Sequence, residues 1–451
     1  MSNELSWQYN CLDCVRTREC GEVEQNNLAQ MGLVAVDAFQ QSMFWPVLEA
    51  MKIGVKIDLD RRAAFDIELS LEMKKREEYF QFVLGHSLNP RSNPQMQKLF
   101  YQDLHQQVIV KRGKGGGNPT LDDKALTLLG QREPILRPLL RNIAEYRSLG
   151  VFRSTFVQAE LDIDNRMRTA YNICGTESYR LSSAENAFGS GTNLQNVPMG
   201  GEDDDSELVL PNVRKIFVPD EGYTMFDTDL SKADLRIVVE EADERELRAM
   251  LAEGRDPYVE VAREFYREPS ISKTRSDGSP HPKYKIFKSF CHGSHYLGTA
   301  QGLAQRLGLT VKESEATQKW YFGKYPSIPK WHTRVKNFVA AKHYVENAFG
   351  YRRYYFDRID DALFRQAIAW IPQSTVALYI NRIWLTLWER FRFIGVLLQV
   401  HDSLVGQFPT IQKDYALACL KEAAQVVVPY PTPLIIPIGI KTSKISWGDC
   451  S

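Results

Sequence analysis

The feature that most restricts this chain is a pair of apolar runs, Phe393–Val400 and Leu404–Phe408, joined only by His401-Asp402-Ser403. Two strand-sized apolar segments around so short a polar joint predict a β-hairpin with an aspartate in its turn. Met225–Leu230 predicts a further strand, Val157–Thr169 alternates apolar and polar residues and predicts another, and a closing strand pair is expected around Pro433–Ile445. Between these segments the pattern is helical, from Ser231, over 283–305 and over 361–390. An earlier helix is expected from Asp58 or Asp60, either of which can cap it, to about Gly85. Sheet segments on both sides of a helical middle predict an α+β core with a helical insertion. The basic, glycine-rich run Lys111–Pro119 is expected to be a mobile loop, either a solvated connector or a flexible contact to phosphates.

A length of 451 residues suggests roughly three domains. Apolar residues at 43% and charged residues at 25% exclude a disordered chain. The 56 Lys and Arg balance 56 Asp and Glu, which neither favours nor excludes a nucleic-acid partner, because a basic cleft can be offset by an acidic outer surface. No apolar run approaches the ~18 residues of a membrane helix, and Met1–Trp7 shows no export signal. A cytoplasmic protein without a membrane partner is expected. The cysteines at 11, 14, 20, 174, 291, 419 and 450 are odd in number and widely spread, as in a reduced protein. Cys11 and Cys14 have half-site spacing for zinc, but no second pair follows and the nearest histidine is His86, so ordinary thiols are favoured.

Asp229 ends a predicted strand and Asp402 lies in the predicted turn. Taken singly, each is an ordinary turn or helix-capping residue. As a pair they can hold hard cations such as Mg²⁺, which take oxygen ligands and keep several waters. Two such ions roughly 3.5–4 Å apart can serve an in-line phosphoryl displacement. A glycosidase pair would need one carboxylate in an apolar pocket, and nothing in the sequence marks one.

Lys288, His292 and Tyr296 follow one another at intervals of four, which stacks them along one helix face. An amphipathic helix with a polar face would look the same. A cation, an imidazole and a phenol in a row also suit a triphosphate, a sugar and a base, with the lysine able to protonate a departing pyrophosphate.

Together these segments resemble the polymerase motifs of family A DNA polymerases, in the right order. The first is Asp229-Leu230-Ser231-Lys232-Ala233-Asp234-Leu235-Arg236, the second the helix ending Tyr296-Leu297-Gly298, and the third Gln399-Val400-His401-Asp402-Ser403. Supporting matches run through Thr176…Arg180, Asn193–Pro198, Arg214–Phe217, Tyr321–Pro326, Phe349–Tyr354, Pro372–Thr375 and Ser446–Cys450. The resemblance implies a right-hand fold with helical thumb and fingers and an antiparallel-sheet palm. The thumb would span 41–160, the palm 161–240 and 344–451, and the fingers 241–343, after an exonuclease-end and linker remnant over 1–40.

The same resemblance implies template-directed addition of deoxynucleotides to a primer 3′-hydroxyl, with primer–template DNA and dNTPs as partners. Asp229, Asp402 and the Leu230 carbonyl would hold two Mg²⁺ ions, with Mn²⁺ as an alternative. Lys288 would bind the triphosphate, and Asp234, His292, Tyr296, Tyr284 and Lys285 would complete the nucleotide site. Arg180 and Gln373 would touch the minor-groove edge of the newest pair, where acceptors recur in every correct pair. Gln399 and His401 would position the primer end and Arg365 would support the site, while Asn193, Gln195, Arg352 and Arg353 would contact DNA. A monomer is expected, with a separate exonuclease, helicase or processivity factor as a class of further partner.

The departures are local. Asp234 stands for the family's glutamate beside the sugar 2′ position, and His292 for the bulky aromatic there. Discrimination against ribonucleotides therefore depends on whether His292 hydrogen-bonds Asp234 and rebuilds the gate. Tyr284 occupies the place of a phosphate-binding arginine, for which Lys283 or Lys285 could substitute. Ser403 follows the catalytic aspartate where the family has glutamate, and Leu297 and Ala369 are also atypical. These changes suggest a divergent, viral member acting in a host cytoplasm. Tyr9 and Asp13 resemble the last motif of a proofreading exonuclease, but one aspartate cannot build a two-metal site, so no exonuclease activity is expected. The competing readings are a ribonucleotide-accepting, primer-making enzyme of the same fold group and a catalytically silent primer–template binding protein.

Overall fold

The computed structural model describes residues 3–113, 116–199, 201–202, 209–276 and 278–450. At its centre is a four-stranded antiparallel sheet. Strand β1 (Tyr223–Leu230) lies between β3 (Ser403–Pro409) and β4 (Ile438–Ser443), and β2 (Gly395–Val400) extends the sheet beyond β3. β1 alternates strictly enough to bury Phe226 and Thr228 while Asp227 and Asp229 share the opposite face. The expected hairpin is β2–β3, closed at Val400 and Ser403.

The sheet is backed by one long helix. Helix α1 (Ala233–Ala242) follows β1, helix α2 (Pro282–His295) lies in the inserted helical lobe, and helix α3 (Asp361–Arg390) returns the chain to the sheet. The Asp360 carboxylate caps α3 by accepting from the Leu363 amide at 2.9 Å, and Arg390 sits in its last turn, both favourable to the helix dipole. Pro372 removes one internal hydrogen bond, yet the helix continues because it is buried on most of its circumference. Its C-terminal half packs Val376, Ile380, Ile383 and Trp384 under the sheet with Phe226 and Phe408, at about 1.5–3 kcal/mol per large side chain. Its N-terminal half joins the core of the inserted lobe through Ile368 and Trp370. One helix thus belongs to both cores, fixing α2 relative to the sheet.

The N-terminal part carries a separate helical core around Phe80, Leu99, Phe100 and Ile143, built on helices Leu59–Leu84 and Arg137–Phe152. Asp58 caps the first of these at the Arg61 amide and Gly85 ends it in the left-handed conformation, φ 74°. Helix Phe44–Ile53 instead packs on the sheet side, through Met43, Val47 and Ala50.

Three local expectations are corrected. Val157–Thr169 is not a strand: Arg153–Val157 is a wide helical turn, and only Arg166–Met167 pair, with Val55–Lys56. The alternation reflects burial of Val157 and Ala159 without a partner strand beyond them, Ile163 being fully exposed. The glycine-rich run is a hairpin, Val110–Gly113 against Gly116–Pro119. Glycine is needed there, because a Cβ on Gly117 would lie 2.2 Å from Val110 Cγ1. The closing strand pair is a single strand, β4, preceded by a bridge between Val428 and Leu434. Among the described residues no helix is long and apolar enough to cross a membrane.

Candidate active site

The antiparallel register does the first work. Asp227 pairs with Val405, so the end of β1 carrying Asp229 reaches the turn between β2 and β3 that carries Asp402. The Thr228 hydroxyl ties the strands there, donating to the Leu404 carbonyl at 3.1 Å and accepting from its amide at 2.9 Å. In the turn His401 adopts φ 57°, a left-handed conformation that costs a non-glycine residue about 1 kcal/mol or more. Its carbonyl accepts from Gln399 Nε2 at 2.5 Å, and Ser403 Oγ donates to the Val400 carbonyl at 3.1 Å. The strained tip is thereby held, and Asp402 with it.

Burial lifts the Asp229 carboxyl above the usual range, and the charges of Asp402 and Asp227 lift it further, against the pull of Lys273 and Lys288. Asp402 is raised by burial and by Asp234, opposed by its own backbone amide and by His401 and Arg180. Asp227 is raised chiefly by burial, although Trp447 Nε1 donates to it at 2.8 Å. Three carboxylates are thus crowded at one end of the sheet.

Helix α2 supplies the facing wall. A cleft of about 380 Å³ is lined by Asp229, Leu230, Asp234 and Asp402 on the sheet side and by Tyr284, Lys288 and His292 from α2. The predicted helix 283–305 is broken. α2 stops at His295, Tyr296 caps it, Leu297 turns left-handed at φ 57°, and a new helix runs Ala300–Leu307. The break turns Tyr296 inward, where burial and the Asp234 charge push its phenol far up. The Tyr296 hydroxyl and one Asp234 oxygen are buried close to one another, with no well-formed hydrogen bond to either. His292 is not bonded to Asp234; its ring stands edge-on to Tyr296, centroids 4.7 Å apart, and burial lowers its pKa.

Neither lysine beside Tyr284 lines the cleft. Lys283 pairs with Glu268, and Lys285 is exposed. The cleft cations other than Lys288 are Lys232, Lys273 and Arg306, none of which the motif reading singled out. Asp256, Tyr258 and Asp227 were also missed, though the Asp-x-Asp spacing on a strand was a legible signal for Asp227.

Arg180 lies where its charge acts on Asp402, His401 and Tyr296. Gln195 and Gln399 are interior: Gln195 Nε2 donates to Gln399 Oε1 at 2.8 Å, and Tyr171 bonds the Gln399 backbone. Asn193 accepts from Ser183 Oγ at 2.7 Å and from the Gln195 amide. Gln373 and Arg365 are half-buried on α3. Arg352 pairs with Glu346 at 2.6 Å and Arg353 with Glu177, both on a short hairpin away from the carboxylates.

Among the described residues no three His, Cys, Asp or Glu side chains form a closed metal cage. An open pair of carboxylates with unsatisfied mutual repulsion still fits Mg²⁺, which keeps waters and takes substrate phosphate oxygens rather than demanding an all-protein cage.

The profile of DNA polymerase family A matches residues 60–448. The chain belongs to that family. Relatives of this family A member include the thermostable DNA polymerase I of Thermus filiformis, 28% identical over 401 residues, covering 86% of this chain and 45% of the relative. DNA polymerase I of Deinococcus radiodurans is 26% identical over 406 residues, 87% of this chain and 40% of the relative. The chain spans about half the length or less of these curated relatives. Among solved structures it resembles the POL domain of Pol1 from M. smegmatis in complex with DNA primer-template and dNTP, with a TM-score of 0.79, 22% identity, and coverage of 94% of this chain and 72% of that one. The family A member therefore has the right-hand α+β polymerase fold.

Proposed function

We propose that this chain catalyses template-directed DNA synthesis, transferring a deoxynucleotide from its triphosphate to a primer 3′-hydroxyl. The observation that carries the reading is the meeting of Asp229 and Asp402 at one end of the sheet, across a single cleft from Lys288. Residues 41–160 serve as thumb, 161–240 and 344–451 as palm and 241–343 as fingers, with Phe44–Ile53 packed on the palm sheet. The two carboxylates and the Leu230 carbonyl would hold Mg²⁺. When bound, such ions stabilise the attacking and leaving oxygens of an in-line displacement. The chain's own part is positional and electrostatic. Lys288 neutralises the phosphates and holds a proton at Nζ for the departing pyrophosphate as the 3′-hydroxyl gives up its proton to solvent, the new 3′-O–Pα bond forms and the Pα–O bond to pyrophosphate breaks. Arg180 would present donors toward the nascent pair, and Tyr296, whose ring packs edge-on to the cleft residue His292, would stack near it.

Ribonucleotide acceptance is the second reading. It is favoured by the Asp234 oxygen that lacks a well-formed hydrogen bond and by His292 packing on Tyr296 instead of bonding Asp234. Proofreading has no assigned site: Tyr9 and Asp13 are exposed on helix Asn3–Met31. A viral origin draws only on sequence departures such as Asp234, His292, Tyr284 and Ser403, whereas the relatives named above are bacterial.

The test is extension of a labelled primer on a DNA template with Mg²⁺, in deoxy- and ribonucleotide lanes, beside Asp402→Asn. Long products from deoxynucleotides, absent in the variant, support the reading. Equal ribonucleotide lanes favour the second reading, and bound but unextended primer in every lane overturns both.

A further inference from the structure

The cleft beside the carboxylates holds four cations, and they are not equivalent. Lys232 is committed to Asp256 at 3.3 Å. Arg306, on the helix after the break, acts on His292, at the sugar and base end. Lys273 and Lys288 are different. Both line the cleft, neither makes an ion pair among the described residues, and both charges fall on Asp229, where the reacting phosphate must sit.

Lys273 also sits on a fixed support. Ile271, two residues before it, is completely buried in the fingers core, and its carbonyl accepts from Arg263 Nε at 2.7 Å. The Lys273 carbonyl accepts from the His281 amide at 3.1 Å, and Thr274 bridges to Pro280. The loop is thus closed on itself at its stem, and its lysine stands beside the start of α2. Across the cleft wall, Tyr284 is directed to Asp256, which raises its phenol to about 12 after burial itself. A phenol carries no positive charge to offer the phosphates, and the flanking lysines of Tyr284 lie outside the cleft.

We infer that Lys273 is a second triphosphate-binding residue, contacting the β- and γ-phosphates opposite Lys288 from the loop that precedes α2. This rests on the proposed polymerase reading. A compact ammonium on a flexible stem suits a phosphate that must be gripped on entry and released as pyrophosphate. Both substrate and leaving group are held by the same atom, so their affinities move together.

The test is steady-state primer extension by the wild-type chain, Lys273→Ala and Lys273→Arg, with KM for dNTP, kcat, the inhibition constant of added pyrophosphate, and primer–template affinity. Loss of a charge-assisted contact is expected to raise KM by roughly ten- to a hundredfold, to weaken pyrophosphate inhibition by a similar factor and to spare primer–template binding. Lys273→Arg should recover most of both. Unchanged KM and pyrophosphate inhibition in Lys273→Ala, with the wild type active, overturn the inference alone. A wild type that fails to extend primers overturns the polymerase reading instead. Equal loss in both variants together with a lowered melting midpoint would make the role structural and also overturn it.

Discussion

The surroundings of Asp229 and Asp402 work against ionisation of either carboxyl. Burial and like charge hold both pKa values above the ordinary carboxylate range. The stability tied to such a group is fully present below its unfolded pKa, near 4, and is lost as pH rises through the folded value. At neutral pH, without metal, the pair therefore destabilises the fold. Asp402→Asn should raise the melting midpoint of the metal-free protein by roughly 1–3 °C, while Mg²⁺ stabilises the wild type and hardly moves the variant. Thermal denaturation with and without Mg²⁺ checks this, and a lower midpoint for the metal-free variant would refute it. In extension assays the same variant should lose about 10³-fold or more in rate. Asp234→Glu should reach the buried Tyr296 hydroxyl and lower ribonucleotide use relative to deoxynucleotides by roughly tenfold, read from the ratio of kcat/KM values. That Asp229, Lys288 and Asp402 line one cleft was legible in sequence because each sits at a regular place on a strand, a helix or a hairpin turn. Lys273 was not, because a loop lysine enters a cleft only through the packing of Ile271 and the closure of the loop.

At the scale of elements, the hairpin β2–β3 and helix α3 matched their sequence patterns because each satisfies its own local rules: apolar runs around a short turn, and a capped, nearly all-round apolar helix. The Val157–Thr169 segment misled because alternation records burial and says nothing about a neighbour to pair with. The glycine-rich run misled in the other direction, because composition announces mobility, while at Gly117 a Cβ would run into the Val110 side chain of the facing strand. Gly406 makes the same demand at the centre of the palm sheet. A Cβ there would lie 2.2 Å from the Gly395 carbonyl oxygen and 2.6 Å from the Phe226 ring. Gly406→Ala should cost about 2–4 kcal/mol of stability, measured by denaturant unfolding, and should shift activity through loss of folded protein. A variant as stable as the wild type would show that β3 is not packed this closely on β2 and the Phe226 ring.

For the whole molecule, zero net charge does not mean few cations: 56 Lys and Arg are present, and in the cleft four of them, Lys232, Lys273, Lys288 and Arg306, stand beside four carboxylates. Primer–template affinity should accordingly fall by roughly tenfold or more between ~50 and ~200 mM salt, as lysine and arginine contacts to phosphates are screened. Fluorescence anisotropy of a labelled duplex checks it, and a flat salt profile would argue against phosphate-led binding. The strand order of the palm sheet has a further meaning in time. β1 is flanked on both sides by strands from the C-terminal end of the chain, with the entire fingers lobe between them. On the ribosome, β1 must wait with both edges unpaired until that last stretch emerges, and such distant pairings form slowly. The meeting of Asp229 and Asp402 therefore arrives late and all at once, and a chain synthesised only as far as residue 390, however well its helical lobes have condensed, has nowhere to assemble its carboxylates.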